Sequence, residues 1–176
     1  MTKRGLAQCH FPLRRKSGGG FRARSRYIRL MVTTLYSRDI LRLAASIPHH
    51  RRLDQPQASA EKSSAVCGSR VIVDVALDQA GRIVALGQEV KACALGQASA
   101  ALMGAHAPGR TGADLAAARD SLAAFLAGSS DDPGDWPGLE LFAEARRFPA
   151  RHASILLAFE AAAEAASRAR AAAAFG

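Results

Sequence analysis

Two short stretches in the middle of the chain, residues 71–77 and 83–90, carry apolar side chains with a period of two. In the first stretch Val71, Val73, Val75 and Leu77 occupy every second position and the residues between are mixed, which is typical of a half-buried strand. Residues 78–81 separate the stretches, read Asp-Gln-Ala-Gly, and predict a turn. We therefore expect an antiparallel hairpin, preceded by a weaker strand over residues 59–66.

Helical spacing of apolar residues dominates the rest of the chain. A first helix is predicted over residues 35–47, which Pro48 ends. A polar loop follows over residues 48–60. After the hairpin, the small residues 98–103 favour a second helix that ends near residues 106–109.

The third helix has clear end signals. Thr111 is a suitable N-cap with Asp114 three residues later, and Gly128 is a suitable stop. A short helix over residues 139–145 and a long alanine-rich helix from about residue 151 to 174 are then expected. This order predicts an α+β fold, with a small antiparallel sheet of about three strands covered on one face by four to five helices.

Composition and charge divide the chain into an extension and a body. The 176 residues are 49% apolar and 22% charged, which suits one ordinary core. The net charge of +9 comes from residues 1–30, which hold nine Lys/Arg and no acid. We expect residues 1–30 to be a disordered basic extension and residues 31–176 to form a single domain. The extension is interpreted either as an organelle transit peptide or as upstream mistranslation before a true initiator at Met31.

The body offers little support for several function classes. It is formally neutral, and it has no apolar stretch of about 18 residues that could span a membrane. Paired catalytic carboxylates, a phosphate-binding glycine loop and a nucleophile elbow are also missing from the sequence. We therefore expect a soluble cytoplasmic protein, not an enzyme, that binds neither nucleic acid nor membrane.

The candidate chemistry lies in two cysteines that flank the hairpin. Cys67 and Cys93 are each thirteen residues from Ala80 in the turn, so an unbulged antiparallel ladder places them opposite each other. Opposed residues have Cβ atoms roughly 4.5–5.5 Å apart, close enough to share one metal ion or cluster. Cys93 also precedes a helix, whose dipole favours a thiolate. The remaining cysteine, Cys9, lies in the extension, so a disulfide framework is not expected.

The motifs around these cysteines resemble those of the U-type iron-sulfur cluster scaffold proteins, the family of IscU, SufU and the N-terminal domain of NifU. Cys67-Gly68-Ser69 before a strand is similar to the family's Cys-Gly-Asp motif. Cys93, followed by Ala-Leu-Gly-Gln-Ala-Ser-Ala, is similar to the second cysteine, which leads into a helix of small residues. Further similarity covers most of the chain, and its motifs lie at residues 35–37, 47–48 and 148–151.

The chain departs from the family pattern at two ligands. A gapless match from Phe148 places Ser154 at the family's third cysteine, whereas matching the sequence His152 to Leu156 to the pattern His-Cys-Ser-Ile-Leu places Ala153 there. Ser69 stands where the family has an aspartate, and it could donate a hydrogen bond to a thiolate. The resemblance therefore implies an iron or iron-sulfur cluster site on Cys67 and Cys93, with His152 as a third metal ligand.

The resemblance implies an iron-sulfur cluster assembly scaffold or carrier, with Cys67 and Cys93 as iron ligands or persulfide acceptors. A cysteine desulfurase would supply sulfur, and an apo-protein would accept the cluster. Two alternatives stay open. One is a SufU-like zinc-dependent sulfur-transfer partner of a cysteine desulfurase, and the other is a degenerate homologue that binds proteins without metal. The sequence makes no prediction of the oligomeric state.

Overall fold

The computed structural model describes residues 35–175, so the predictions made for the basic extension and Cys9 lie outside the described residues. Within this range a three-stranded antiparallel sheet of order β1-β2-β3 is followed and covered by helices, which confirms the predicted α+β fold. The strands are β1 Ala58–Ser64, β2 Ser69–Leu77 and β3 Ile83–Lys91. The helices are α1 Arg38–Ala44, α2 Ala94–His106, α3 Gly112–Ala127, a 3₁₀ segment Leu139–Arg147, and α4 Pro149–Phe175.

Helix α4 is the centre of the packing. It contacts β1 and β2 on one side and α2 and α3 on the other. Many of its side chains are alanines, and because these are small, the sheet and two helices can approach α4 closely. The fully buried valines of β2 belong to the same core as these alanines: Val71, Val73 and Val75. Although α4 is long, no helix among residues 35–175 combines the length and apolarity needed to cross a membrane.

Helix α3 has both end signals that the sequence predicts. The Thr111 hydroxyl accepts a hydrogen bond from the Asp114 amide at 3.3 Å, and the Asp114 carboxylate accepts one from the Thr111 amide at 2.8 Å. Gly128 ends the helix in the left-handed conformation, with φ of 78°. The capping box and the glycine stop are therefore confirmed.

The second face of the sheet is covered in its middle by the polar loop of residues 48–57. The Asp74 carboxylate on β2 is fully buried there and accepts two hydrogen bonds from the Arg52 guanidinium, at 2.6 and 2.9 Å. It also accepts from the Leu53 amide and the Ser59 hydroxyl. Burial alone would raise the pKa of Asp74, but these donors outweigh it and hold the pKa below its usual value. The charge is thus buried with its partners, and it anchors the loop.

The register of the β2-β3 hairpin differs from the unbulged ladder that the sequence suggested. Ala76 pairs with Ala85, but Leu77 pairs with Ile83, so Val84 is an extra residue in β3. The bulge shifts the rest of the ladder by one position, and it ends at the pair of Arg70 and Lys91. The prediction that Cys67 and Cys93 face each other directly across the ladder is therefore wrong, and both cysteines lie outside the strands.

Candidate functional site

Cys67 lies in the loop that joins β1 to β2. The last paired residues are Ser64 and Ser69, and the amide of Gly68 closes the loop by donating to the Ser64 carbonyl at 2.9 Å. Gly68 has a φ of 65°, which glycine adopts without strain. Cys67 is partly exposed at this tip, next to Val66, whose exposed fraction is 74%. The hairpin therefore presents this thiol to molecules outside the chain.

Cys93 lies at the N-cap of helix α2. Its backbone is extended, with φ of −65° and ψ of 166°, and its thiol makes no hydrogen bond to the helix amides. Instead, Cys93 Sγ lies 3.3 Å from Ser154 Oγ on α4. The cap geometry thus turns this thiol toward α4.

Ser154 joins the two cysteines. Its fully buried hydroxyl lies 3.1 Å from Ser69 Oγ, and the Cys67 thiol donates to Ser69 Oγ at 3.1 Å. A continuous hydrogen-bonded chain therefore runs from Cys67 through Ser69 and Ser154 to Cys93. The side chain of Ala153, the residue before Ser154, is exposed. Of the two positions that the sequence left open for the family's third cysteine, Ser154 is the one that lies between the thiols.

The close approach of α2 and α4 fixes Ser154 at this point. A β-carbon built on Gly96 would lie 2.6 Å from Ser154 Oγ and 2.8 Å from the Ala92 Cβ, closer than atoms can pack. One turn further along α2, the buried Ser99 hydroxyl donates to the Ile155 carbonyl at 2.6 Å. Glycine at position 96 is therefore what allows the serine to reach the thiol of Cys93.

Hydroxyl groups surround the Cys67 sulfur. Burial tends to raise the pKa of this thiol, but hydrogen bonds from Ser64, Ser69 and Ser154 to the thiolate lower it to about 7. Ser64 is 7% exposed, and its hydroxyl has no hydrogen-bond partner among residues 35–175. A thiol with this pKa is about half ionised at neutral pH, and the thiolate is the form of cysteine that acts as a nucleophile or binds metal.

His152 is held away from this chain of groups. Its Nε2 lies 2.9 Å from the Ala145 carbonyl in the 3₁₀ segment. Among residues 35–175, no three His, Cys, Asp or Glu side chains gather closely enough to hold a metal ion. The structure therefore brings Cys67 and Cys93 together but does not add His152 to them, and its role as a ligand stays a prediction.

Sequence reasoning missed one member of the site. Ser64 was assigned only to the weak first strand, with no chemical role. The signal that could have found it is the spacing of Ser64 and Ser69 around Cys67, because a four-residue hairpin loop brings the two strand ends together.

The fold matches known structures. The N-terminal part of a nitrogen-fixing NifU-like protein from Brucella abortus is 34% identical, with a TM-score of 0.75, over 80% of this chain and 98% of the other. A protein from Fervidobacterium islandicum AW-1, described as a candidate iron-sulfur cluster assembly scaffold for the SUF system, is 21% identical, with a TM-score of 0.69. That match covers 75% of this chain and 96% of the other, and its low identity supports the fold alone.

A hypothetical protein with 21% identity and a TM-score of 0.62 shares the fold over 79% of this chain and 98% of its own. No protein-family model and no curated protein sequence matches the chain. The identity and coverage of the Brucella match show the family, which confirms the resemblance found in the sequence. The chain belongs to the NifU N-terminal-like family of U-type iron-sulfur cluster scaffold proteins.

Proposed function

We propose that this protein is an iron-sulfur cluster assembly scaffold or carrier that takes up sulfur and binds iron or a labile cluster through Cys67 and Cys93. The observation that supports this is the hydrogen-bonded chain that links the two thiols, which runs from Cys67 through Ser69 to the buried hydroxyl of Ser154 and on to Cys93. The cluster is cargo here and not a resident cofactor. The protein has no turnover of its own and works in the cytoplasm.

The set of donors suits cargo that is held loosely. An iron-sulfur cluster or a zinc ion takes about four thiolate or imidazole ligands. This site offers two thiols, and the hydroxyl of Ser154 stands where the family has its third. Because no group of three His, Cys, Asp or Glu side chains forms among residues 35–175, the remaining ligands in this proposal come from a small thiol or from the partner that receives the cluster. A site that is completed from outside also releases its cargo when those outside ligands leave.

Sulfur uptake needs fewer groups than metal binding does. Cys67 is accessible at a hairpin tip, and its lowered pKa supplies the thiolate. The sulfur donor in this proposal is a cysteine desulfurase, and the cluster acceptor is an apo-protein. The three groups have distinct roles in this proposal. Cys67 accepts sulfur, and Cys93 is the second ligand of the iron or cluster. The Ser154 hydroxyl lies between the two cysteines and sets the distance between them.

Anaerobic reconstitution with iron and sulfide tests the proposal. We expect the full chain to bind iron and acid-labile sulfide, and Cys67→Ser and Cys93→Ser each to lose most of both. Cys9→Ser is the matched control, because it removes a thiol to which the proposal gives no role, and it should bind as the unaltered chain does. Equal binding by all four proteins would refute the site.

The same preparations separate the two alternatives. The zinc-dependent sulfur-transfer partner would be the better assignment if the purified protein contains zinc and stimulates a cysteine desulfurase, and if this stimulation requires Cys67. If neither metal binds and neither cysteine matters to desulfurase activity, the degenerate metal-free homologue is the correct assignment. His152→Ala belongs in this series, and undiminished iron binding would remove His152 from the ligand set.

A further inference from the structure

The Ser64 hydroxyl is a buried donor without an assigned purpose. Ser64 is 7% exposed, and its Oγ has no hydrogen-bond partner among the described residues. A buried hydroxyl that makes no hydrogen bond costs stability, so such groups are rare in folded proteins. Ser64 pairs with Ser69 across the β1-β2 ladder, so their two side chains lie on the same face of the hairpin, and Ser69 Oγ is the atom that accepts from the Cys67 thiol.

The neighbouring hydroxyls differ from Ser64 in this respect. Ser69 accepts from the Cys67 thiol and contacts Ser154, and Ser154 also contacts Cys93. Both are therefore satisfied before any sulfur arrives. Of these three hydroxyls, only that of Ser64, at the end of β1, has no hydrogen-bond partner among the described residues.

We propose that Ser64 is a positioning residue whose free hydroxyl holds the sulfur atom delivered to Cys67. This inference rests on the proposed function, because it concerns the same cysteine and the uptake of sulfane sulfur. The anion that forms, a persulfide, carries its charge on the outer sulfur and accepts hydrogen bonds. A donor that is already in place and already desolvated stabilises that anion with no further loss of hydrogen bonds to water.

The transfer step balances without an added oxidant or reductant. The Cys67 thiolate attacks the outer sulfur of a persulfide donor, R-S-SH, and a new S–S bond forms at Cys67. The S–S bond of the donor breaks, and its electron pair leaves with the R-S thiolate. The proton of the outer sulfur passes to that leaving thiolate, which yields R-SH and a Cys67 persulfide anion facing Ser64.

Glutathione persulfide as the donor provides a direct test with the full chain. The ratio of Cys67 with one added sulfur to free Cys67 is measured at equilibrium by mass spectrometry of the peptide. We expect Ser64→Ala to lower this ratio about tenfold, the size expected when one hydrogen bond to a charged group is lost. Ser64→Thr keeps the hydroxyl and should restore most of the ratio. Ser63→Ala removes an exposed hydroxyl of the same strand and should leave the ratio unchanged.

Thermal unfolding separates a positioning role from a structural one. At a pH well below 7, where the Cys67 thiol is neutral and the Ser64 hydroxyl has no partner among the described residues, Ser64→Ala should unfold at the same temperature as the unaltered chain, or at a higher one. A variant that is less stable would show that the hydroxyl serves the fold, and this would overturn the proposal.

Failure of this inference differs from failure of the proposed function. If the unaltered chain takes no sulfur at Cys67, sulfur uptake itself is refuted. If it loads normally and Ser64→Ala loads equally well, uptake stands and Ser64 has no part in it. A tenfold loss in Ser64→Ala that Ser64→Thr does not restore would also count against the hydroxyl.

Discussion

Cys93 Sγ and Ser154 Oγ lie 3.3 Å apart, with the serine hydroxyl fully buried between helices α2 and α4. The same hydroxyl reaches Ser69 Oγ, which accepts from Cys67. Oxygen therefore stands at the point where a third sulfur would face both thiols. A neutral hydroxyl is a much weaker ligand for a soft metal than a thiolate, so the proposed site would hold a metal less firmly than a site with a third thiol at this position.

Replacing Ser154 by cysteine should create a three-thiol metal site. We expect Ser154→Cys to bind one Co²⁺ ion with strong thiolate-to-metal absorption, and at least tenfold more tightly than the unaltered chain, since a third thiolate joins two existing ones. Optical titration under anaerobic conditions measures this. Ser154→Ala removes the hydroxyl without adding a ligand and should bind no more tightly than the unaltered chain. Equal affinities for Ser154→Cys and Ser154→Ala would show that position 154 does not face the metal.

The reactivity of Cys67 should follow its lowered pKa. Because the thiolate is the reactive form, alkylation by iodoacetamide should rise with pH and reach half of its plateau near pH 7. In denaturant, without the surrounding hydroxyls, the midpoint should move up toward about 8.5, the usual value for cysteine. Rates are read from the Cys67 peptide by mass spectrometry. A midpoint that does not change on unfolding would contradict the stabilisation of the thiolate by the three serines.

The fold could be predicted closely because its signals are local. The valines of β2 alternate, Thr111 and Gly128 mark the ends of α3, and the small residues after Cys93 begin α2 where expected. Each of these depends on a few neighbouring residues and on the period of the element, which the sequence displays directly.

The site could be predicted only in part because it depends on distant contacts. The spacing of the two cysteines identified them as candidates, but the ladder between them contains a bulge at Val84 that no nearby residue predicts. The position of Ser154 required the packing of α4 against α2, and the free hydroxyl of Ser64 required the pairing of Ser64 with Ser69. Register and helix packing are set by the whole core, so a motif search does not reveal them.

A side chain at Gly96 should damage the site through packing. The β-carbon of Gly96→Ala would lie 2.6 Å from Ser154 Oγ, so α2 and α4 must separate, at a cost of about 1–3 kcal/mol in the free energy of unfolding. Chemical denaturation measures the loss. The double variant Gly96→Ala with Ser154→Ala removes one of the clashing atoms and should recover part of it, which a double-mutant cycle detects. Additive effects of the two substitutions would mean that the residues do not contact each other.

The ion pair of Arg52 and Asp74 should make stability depend on pH. Since hydrogen bonds from the Arg52 guanidinium and other donors depress the pKa of Asp74, the stability that this carboxylate contributes is fully present above about pH 3.9, the value for a free aspartate. It is lost as the pH falls through the depressed value in the folded state. Arg52→Ala should therefore lower the free energy of unfolding by about 1–2 kcal/mol at pH 7, and by progressively less in acid.

Urea denaturation across this pH range measures the difference between the unaltered chain and Arg52→Ala. The matched control is Arg42→Ala, because Arg42 pairs with Asp39 on the exposed side of α1 at 3.3 Å, and both side chains are more than half exposed. Such a surface pair contributes little, so this substitution should change the free energy of unfolding by less than about 0.5 kcal/mol at any pH. The Asp74 carboxylate is fully buried, and loss of its guanidinium leaves a charge with fewer donors. If both substitutions had equal effects, the buried carboxylate would not be what anchors the loop of residues 48–57 to the sheet.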